Sequence, residues 1–100
     1  HMVTEDKVKE VLRTVIDPEL GINIVDLGLI YGIEMDKKSN VNVIMTLTTP
    51  GCPLHDSIRT GVYNAVSAID GIGEVNVNLV WFPPWSPDKM SEEAKKQLMF

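Results

Sequence analysis

Apolar residues at Val8, Val11, Leu12, Val15 and Ile16 recur at the three- and four-residue spacing of a single helix face. Thr4 precedes them as an N-cap. Glu5 and Asp6 follow in the first turn, where the helix dipole favours negative charge. Pro18 stops this helix, because the residue before a proline avoids the α region. Residues 21–28 read as a loop or short extended segment. The period then changes to two: Leu29, Tyr31, Ile33 and Met35 share one face of a first strand. Beyond a polar turn at residues 36–40, Val41, Val43, Met45 and Leu47 alternate with Asn42, Ile44, Thr46 and Thr48 in a second strand. So short a polar link predicts an antiparallel hairpin.

The helical period returns at Leu54, Ile58, Val62, Ala65, Val66 and Ile69, and Gly71-Ile72-Gly73 ends it. A third strand follows over residues 74–82, with Val75, Val77, Leu79 and Trp81 inward and Asn76 and Asn78 outward. Strand–helix–strand over this length is a crossover, so the second and third strands are expected to be parallel. Ser86 or Ser91 caps a short C-terminal helix through Ala94 and Leu98. The expected fold is α+β in two layers. It has an N-terminal helix, an antiparallel hairpin, a βαβ crossover completing a small mixed three-stranded sheet, and a short C-terminal helix. The 100 residues are expected to form one domain, with His1-Met2 a cloning remnant.

This topology gathers several segments at one pole. The second strand ends at Thr48, next to Thr49-Pro50-Gly51-Cys52-Pro53. The first strand begins at that end and brings Asp26, with Asp17 and Glu19 from the preceding loop. The third strand finishes there too, leading to Trp81, Phe82 and Pro83-Pro84-Trp85. Cys52 falls at the start of the central helix, where free N–H groups and the helix dipole favour a thiolate. Pro53 suits the first helical position, since the N–H it lacks is unpaired there anyway. Each residue also has a plainer reading. A lone cysteine is a common core residue. Thr48 and Thr49 are strand formers or helix-entry caps, and Asp26 a turn acceptor. Asp17-Pro18-Glu19 can be a polar helix stop, and Trp81, Phe82 and Trp85 packing.

Charge narrows the field. Nine basic and 14 acidic residues give a formal net charge of −5, and the basic residues are scattered, which argues against a nucleic-acid partner. No apolar run approaches the roughly 20 residues of a membrane span, and no leader is apparent. A single cysteine excludes an internal disulfide and fits the reducing cytoplasm. It also excludes an iron–sulfur or zinc site built from this chain's cysteines alone.

Four blocks in order resemble the metal–sulfur cluster biosynthesis family, which includes the SufT-like and PaaD-like proteins. They are Asp17-Pro18-Glu19-Leu20-Gly21, the stretch Asn23 to Tyr31, Thr46 to Pro53, and Pro83-Pro84-Trp85-Ser86-Pro87. The resemblance implies an iron–sulfur-assembly-like domain with a reactive cysteine, acting in cluster assembly, carriage or delivery to apoproteins. It places the site at Asp17, Glu19, Leu20, Thr48, Thr49 and Cys52, with Asp26 nearby. The expected cargo is iron or a transient cluster, ligated by Cys52 together with a partner and not held stably by this chain alone. Expected partners are assembly proteins and client apoproteins; a homodimer is compatible with the resemblance but not implied by it. No Gly-x-x-x-x-Gly-Lys-Ser/Thr motif occurs, so any nucleotide-driven step belongs to a partner. Two other readings stand beside this one. In the first, a binding module uses Trp85, Pro83 and Pro84 as its contact surface. In the second, a thiol hydrolase or transferase pairs Cys52 with His55 or an acid.

Overall fold

A computed structural model describes residues 3–49 and 55–99, apart from the side chains of His55 and Asp56. Helix α1 spans Glu5–Leu12, β1 Ile30–Met35, β2 Val41–Met45, α2 His55–Ser67, β3 Val75–Leu79 and α3 Glu92–Leu98. A 3-10 turn at Pro87–Lys89 precedes α3. The sheet order is β1-β2-β3, with β1 antiparallel and β3 parallel to β2. The expected α+β architecture is therefore the observed one. Leu54, expected on the face of the central helix, lies outside the described residues.

The core is laid down by the predicted periods. Val41, Val43 and Met45 of β2 are buried, as are Ile58, Val62 and Val66 of α2 and Val8 and Leu12 of α1. The opposite face of the sheet is polar. Asn42 Nδ2 donates to Glu34 Oε1 at 2.9 Å, and Asn76 Nδ2 to Asn42 Oδ1 at 2.9 Å, so one amide row runs across all three strands. Thr4 Oγ1 accepts the Lys7 N–H as the N-cap of α1. Ser91, and not Ser86, caps α3 by accepting the Ala94 N–H. The hairpin turn is held by Asp36, whose carboxylate accepts the N–H groups of Lys38 and Asn40 and the Asn40 amide.

Four expectations change. Helix α1 stops at Leu12 rather than running to Pro18, and Ile16 is 50% exposed instead of lying on the buried stripe. The three consecutive β-branched residues Thr14, Val15 and Ile16 are poor helix formers. Their backbone pairs elsewhere: the Ile24 N–H donates to the Val15 carbonyl, and Ile16 bridges Asn23. In β1, the register with β2 shifts between Ile30 and Gly32. This bulge resets the alternation, so Ile30, Ile33 and Met35 pack on the core while Tyr31 donates to the Pro83 carbonyl. Thr46, expected to face outward, is buried. Trp81 and Phe82 leave the core because β3 ends at Leu79; Phe82 is 85% exposed.

Candidate functional site

The three strand ends meet as the topology required. The Thr46 N–H donates to the Leu29 carbonyl at 2.9 Å, and the Val80 N–H to the Met45 carbonyl at 2.8 Å. The end of β2 thus lies between the start of β1 and the end of β3. The chain leaves this pole through Thr48, half-buried, and Thr49, exposed, and returns at His55. Cys52 belongs to this link and lies outside the described residues, as do Pro50, Gly51 and Pro53.

Segment 17–29 is built as two successive capped turns. Asp17 is buried, and its Oδ1 accepts the N–H groups of Glu19 at 2.8 Å and Leu20 at 3.2 Å. Pro18 follows at the position where its missing N–H does no harm. Gly21 closes the turn in the left-handed region at φ +70°, its N–H on the Asp17 carbonyl. The second turn repeats the device. Asn23 Oδ1 accepts the Asp26 N–H at 2.9 Å, and Gly28 ends the turn at φ +79°. The Leu29 N–H reaches the Ile24 carbonyl and the Gly28 N–H reaches the Val25 carbonyl, a Schellman closure with Ile24 and Leu29 both buried.

Asp26 is engaged on every side. Arg13 Nη1 meets Oδ1 at 2.9 Å, Asn23 Nδ2 meets Oδ2 at 2.8 Å, and the Ser91 N–H donates to its carbonyl at 2.8 Å. It therefore ties α1, the second turn and the cap of α3 together. Glu19 is exposed and Leu20 half-buried against the core. Trp85 is half-buried, with Nε1 donating to the Leu27 carbonyl at 2.7 Å, whereas Pro83 and Pro84 are exposed. Of the three residues expected at a contact surface, Trp85 anchors the segment and the two prolines are displayed by it.

Thr46 Oγ1 is fully buried and lacks a hydrogen-bond partner among the described residues. It lies two residues before Thr48, at the end of the strand that leads to the cysteine link. Periodicity alone gave no sign of it, since threonine is an ordinary strand residue. Arg59 was also missed: its Nη2 donates to the Val77 carbonyl at 3.0 Å on the free edge of β3. Among the described residues, no group of three or more His, Cys, Asp or Glu side chains is arranged to hold a metal ion. None of the described helices is long and apolar enough to cross a membrane.

A family model described as iron–sulfur cluster assembly protein matches residues 5–79. The chain is 43% identical over 97 residues to an Fe-S protein maturation auxiliary factor of Porphyromonas gingivalis, covering 97% of this chain and 92% of the relative. It is 48% identical over 81 residues to the Fe-S protein maturation auxiliary factor SufT of Staphylococcus aureus, covering 81% of this chain and 92% of the relative. Its fold is similar to the crystal structure of a domain of unknown function from Bacillus anthracis. There the TM-score is 0.93 and the identity 42%, over 96% of this chain and 92% of that one.

Proposed function

From the premise that this chain belongs to the iron–sulfur cluster assembly protein family, we propose that it is a cytoplasmic maturation factor that delivers clusters to apoproteins through Cys52. The observation that carries this reading is its similarity, over almost its whole length, to a relative named for Fe–S protein maturation. The cluster is cargo, not a resident cofactor. With one cysteine in the chain, ligation is shared with the donor or the client and lasts only through transfer.

The chemistry asked of this chain is limited. Cys52 precedes α2 in the sequence, and the first turn of a helix carries N–H groups that have no partner within the helix itself. A thiol held there loses its proton more readily and ligates iron as the thiolate. Thr48 and Thr49 orient the link. Asp17 fixes the adjoining turn through the Glu19 and Leu20 N–H groups, and Glu19 and Leu20 shape the rim. Asp26 braces this rim against α1 through Arg13. Partners dock on the projecting Pro83-Pro84 turn, which Trp85 anchors to Leu27.

The test is anaerobic reconstitution with iron and sulfide, read by absorbance and iron content, for wild type and Cys52→Ala, with and without a candidate apoprotein. Wild type is expected to load the apoprotein and the variant not to. Client iron–sulfur enzymes that stay fully active in cells carrying only Cys52→Ser would sink the assignment of the cysteine.

A further inference from the structure

We propose that the groove between β1 and the Pro83–Lys89 segment takes an extended partner segment in which a large apolar residue stands between an acidic residue, held by Lys89, and a basic one. This rests on the reading that partners meet the Pro83-Pro84 turn, and it names the chemistry of what they bring there.

The groove has fixed sides. It holds about 480 Å³ and is lined by Gly28, Ile30, Tyr31, Pro83 and Lys89. The Tyr31 hydroxyl donates to the Pro83 carbonyl at 2.8 Å, and the Lys89 N–H to the Ser86 carbonyl at 3.0 Å. The Lys89 backbone in turn lies where a Cβ on Gly28 would stand. Ile30, Tyr31 and Pro83 make the lining apolar. Phe82 and Pro84, on either side of Pro83 in the chain, are exposed and add apolar surface beside it.

Lys89 is the only charged residue among the described ones that line this groove. Its Nζ stands 5.3 Å from the centroid of the Tyr31 ring, within range of a cation on an aromatic face. The ring thus holds in place a side chain that is otherwise free to wander. Among the described residues Lys89 makes no ion pair, and the carboxylate of neighbouring Asp88 accepts the Ser86 hydroxyl. A placed ammonium beside an apolar lining selects a carboxylate next to an apolar side chain. Phosphate is matched less well, because it calls for clustered cations and this is a single one.

The other end of the occupant follows from a second groove. It holds about 360 Å³, shares Ile30 and Tyr31 with the first, and carries Glu5, Asp6 and Lys9 from α1. Two acids against one base leave it negative. The two grooves adjoin along β1, positive beside the C-terminal segment and negative beside α1. A segment that passes through both, rather than a chain end that stops in one, is matched in charge along its length. The register shift between Ile30 and Gly32 falls in the shared lining, so side chains hold the segment and the β1 ladder is not extended.

The test is titration of the isotope-labelled full chain, followed by its amide resonances, without iron or sulfide. The probe is a capped peptide with glutamate, phenylalanine and lysine at every second position, which puts all three on one side of an extended chain. Saturable shifts are expected at Gly28, Ile30, Tyr31, Gly32 and Lys89. Lysine in place of the glutamate is expected to weaken binding about two- to fivefold, as for an exposed charge pair. Alanine in place of the phenylalanine is expected to weaken it at least about tenfold. Lys89→Glu keeps the contact with Gly28, which is made by the backbone, and is expected to reverse the preference between the glutamate and lysine peptides. Cys52→Ala is expected to bind the probe as wild type does, so a failure of delivery through Cys52 leaves this result standing and the two readings fail separately. No saturable shift, shifts elsewhere, equal affinity for all the peptides, or no reversal in Lys89→Glu would each overturn the proposal. So would shifts at the same amides on raising the protein concentration alone, which would put a second copy in the groove.

Discussion

Gly28 lies so close to Lys89 that a Cβ at position 28 would overlap the Lys89 backbone carbonyl. The same glycine sits at φ +79°. Two independent constraints therefore exclude a side chain: the left-handed backbone and the segment packed over it. Gly28→Ala is expected to cost about 2–4 kcal/mol, the sum of a strained φ and a displaced backbone. Gly21 is the control. It has φ +70° but no atom of the described residues within 4 Å of where a Cβ would stand, so Gly21→Ala is expected to cost only about 1 kcal/mol. Urea denaturation of the two variants separates the terms. Equal losses would show that the Lys89 contact contributes nothing.

The contrast between these glycines marks what could be read in the sequence. Local signals were legible: the Thr4 cap and the alternation of Val41, Val43 and Met45 follow from the chemistry of neighbouring residues, although α2 ends at Ser67, ahead of the Gly71-Ile72-Gly73 stop the sequence suggested. Contacts between distant segments were not. Nothing near Gly28 announces Lys89, and nothing in Leu29-Ile30-Tyr31 announces the register shift or the distant Pro83 carbonyl that the Tyr31 hydroxyl reaches. The same holds for the site. Asp17 and Asp26 stood out as acids near a cysteine. The hydrogen bonds that engage them come from the turn in one case, and from Arg13 and the α3 cap in the other.

Asp17 can accordingly be tested for two roles at once. Its Oδ1 accepts two backbone N–H groups in a buried turn, and removing the acceptor strands both donors. Asp17→Ala is expected to cost about 1–3 kcal/mol. Asp17→Asn keeps an oxygen in place and is expected to recover at least half of that loss. If the carboxylate serves only the turn, client maturation in cells follows the stability of the two variants. A stable Asp17→Asn protein that fails to mature clients would show that the charge itself takes part.

Asp36 gives the hairpin a dependence on pH. The hydrogen bond from the Asn40 side chain, and then that from the Asn40 backbone, hold its pKa below the ordinary carboxylate value. A lowered folded pKa means that the ionised form adds stability at neutral pH, and that this share disappears as pH falls through the depressed value. Asp36→Asn, which cannot ionise, is expected to be less stable than wild type at pH 7. The gap should narrow below about pH 4, where the unfolded carboxylate protonates. Denaturation curves at pH 7 and pH 3 measure it, and a gap that widens in acid would contradict the assignment.

The final prediction concerns Thr46. Its hydroxyl is buried without a partner among the described residues, whereas its backbone N–H is firmly placed on the Leu29 carbonyl. A buried hydroxyl that makes no hydrogen bond costs the desolvation of a polar atom and returns nothing to the folded state. Valine has nearly the same shape and the same preference for strands. Thr46→Val is therefore expected to raise stability by about 1 kcal/mol, read as a higher urea midpoint at unchanged slope. Its effect on maturation then says why a threonine is present. Unchanged client activity would make the hydroxyl a simple loss in stability at the strand end. A more stable protein with impaired maturation would mean that the hydroxyl finds its partner during transfer, two residues from Thr48 and at the mouth of the link that holds Cys52. Loss of stability in Thr46→Val would refute the premise, because it would mean that the hydroxyl is already bonded in the folded chain.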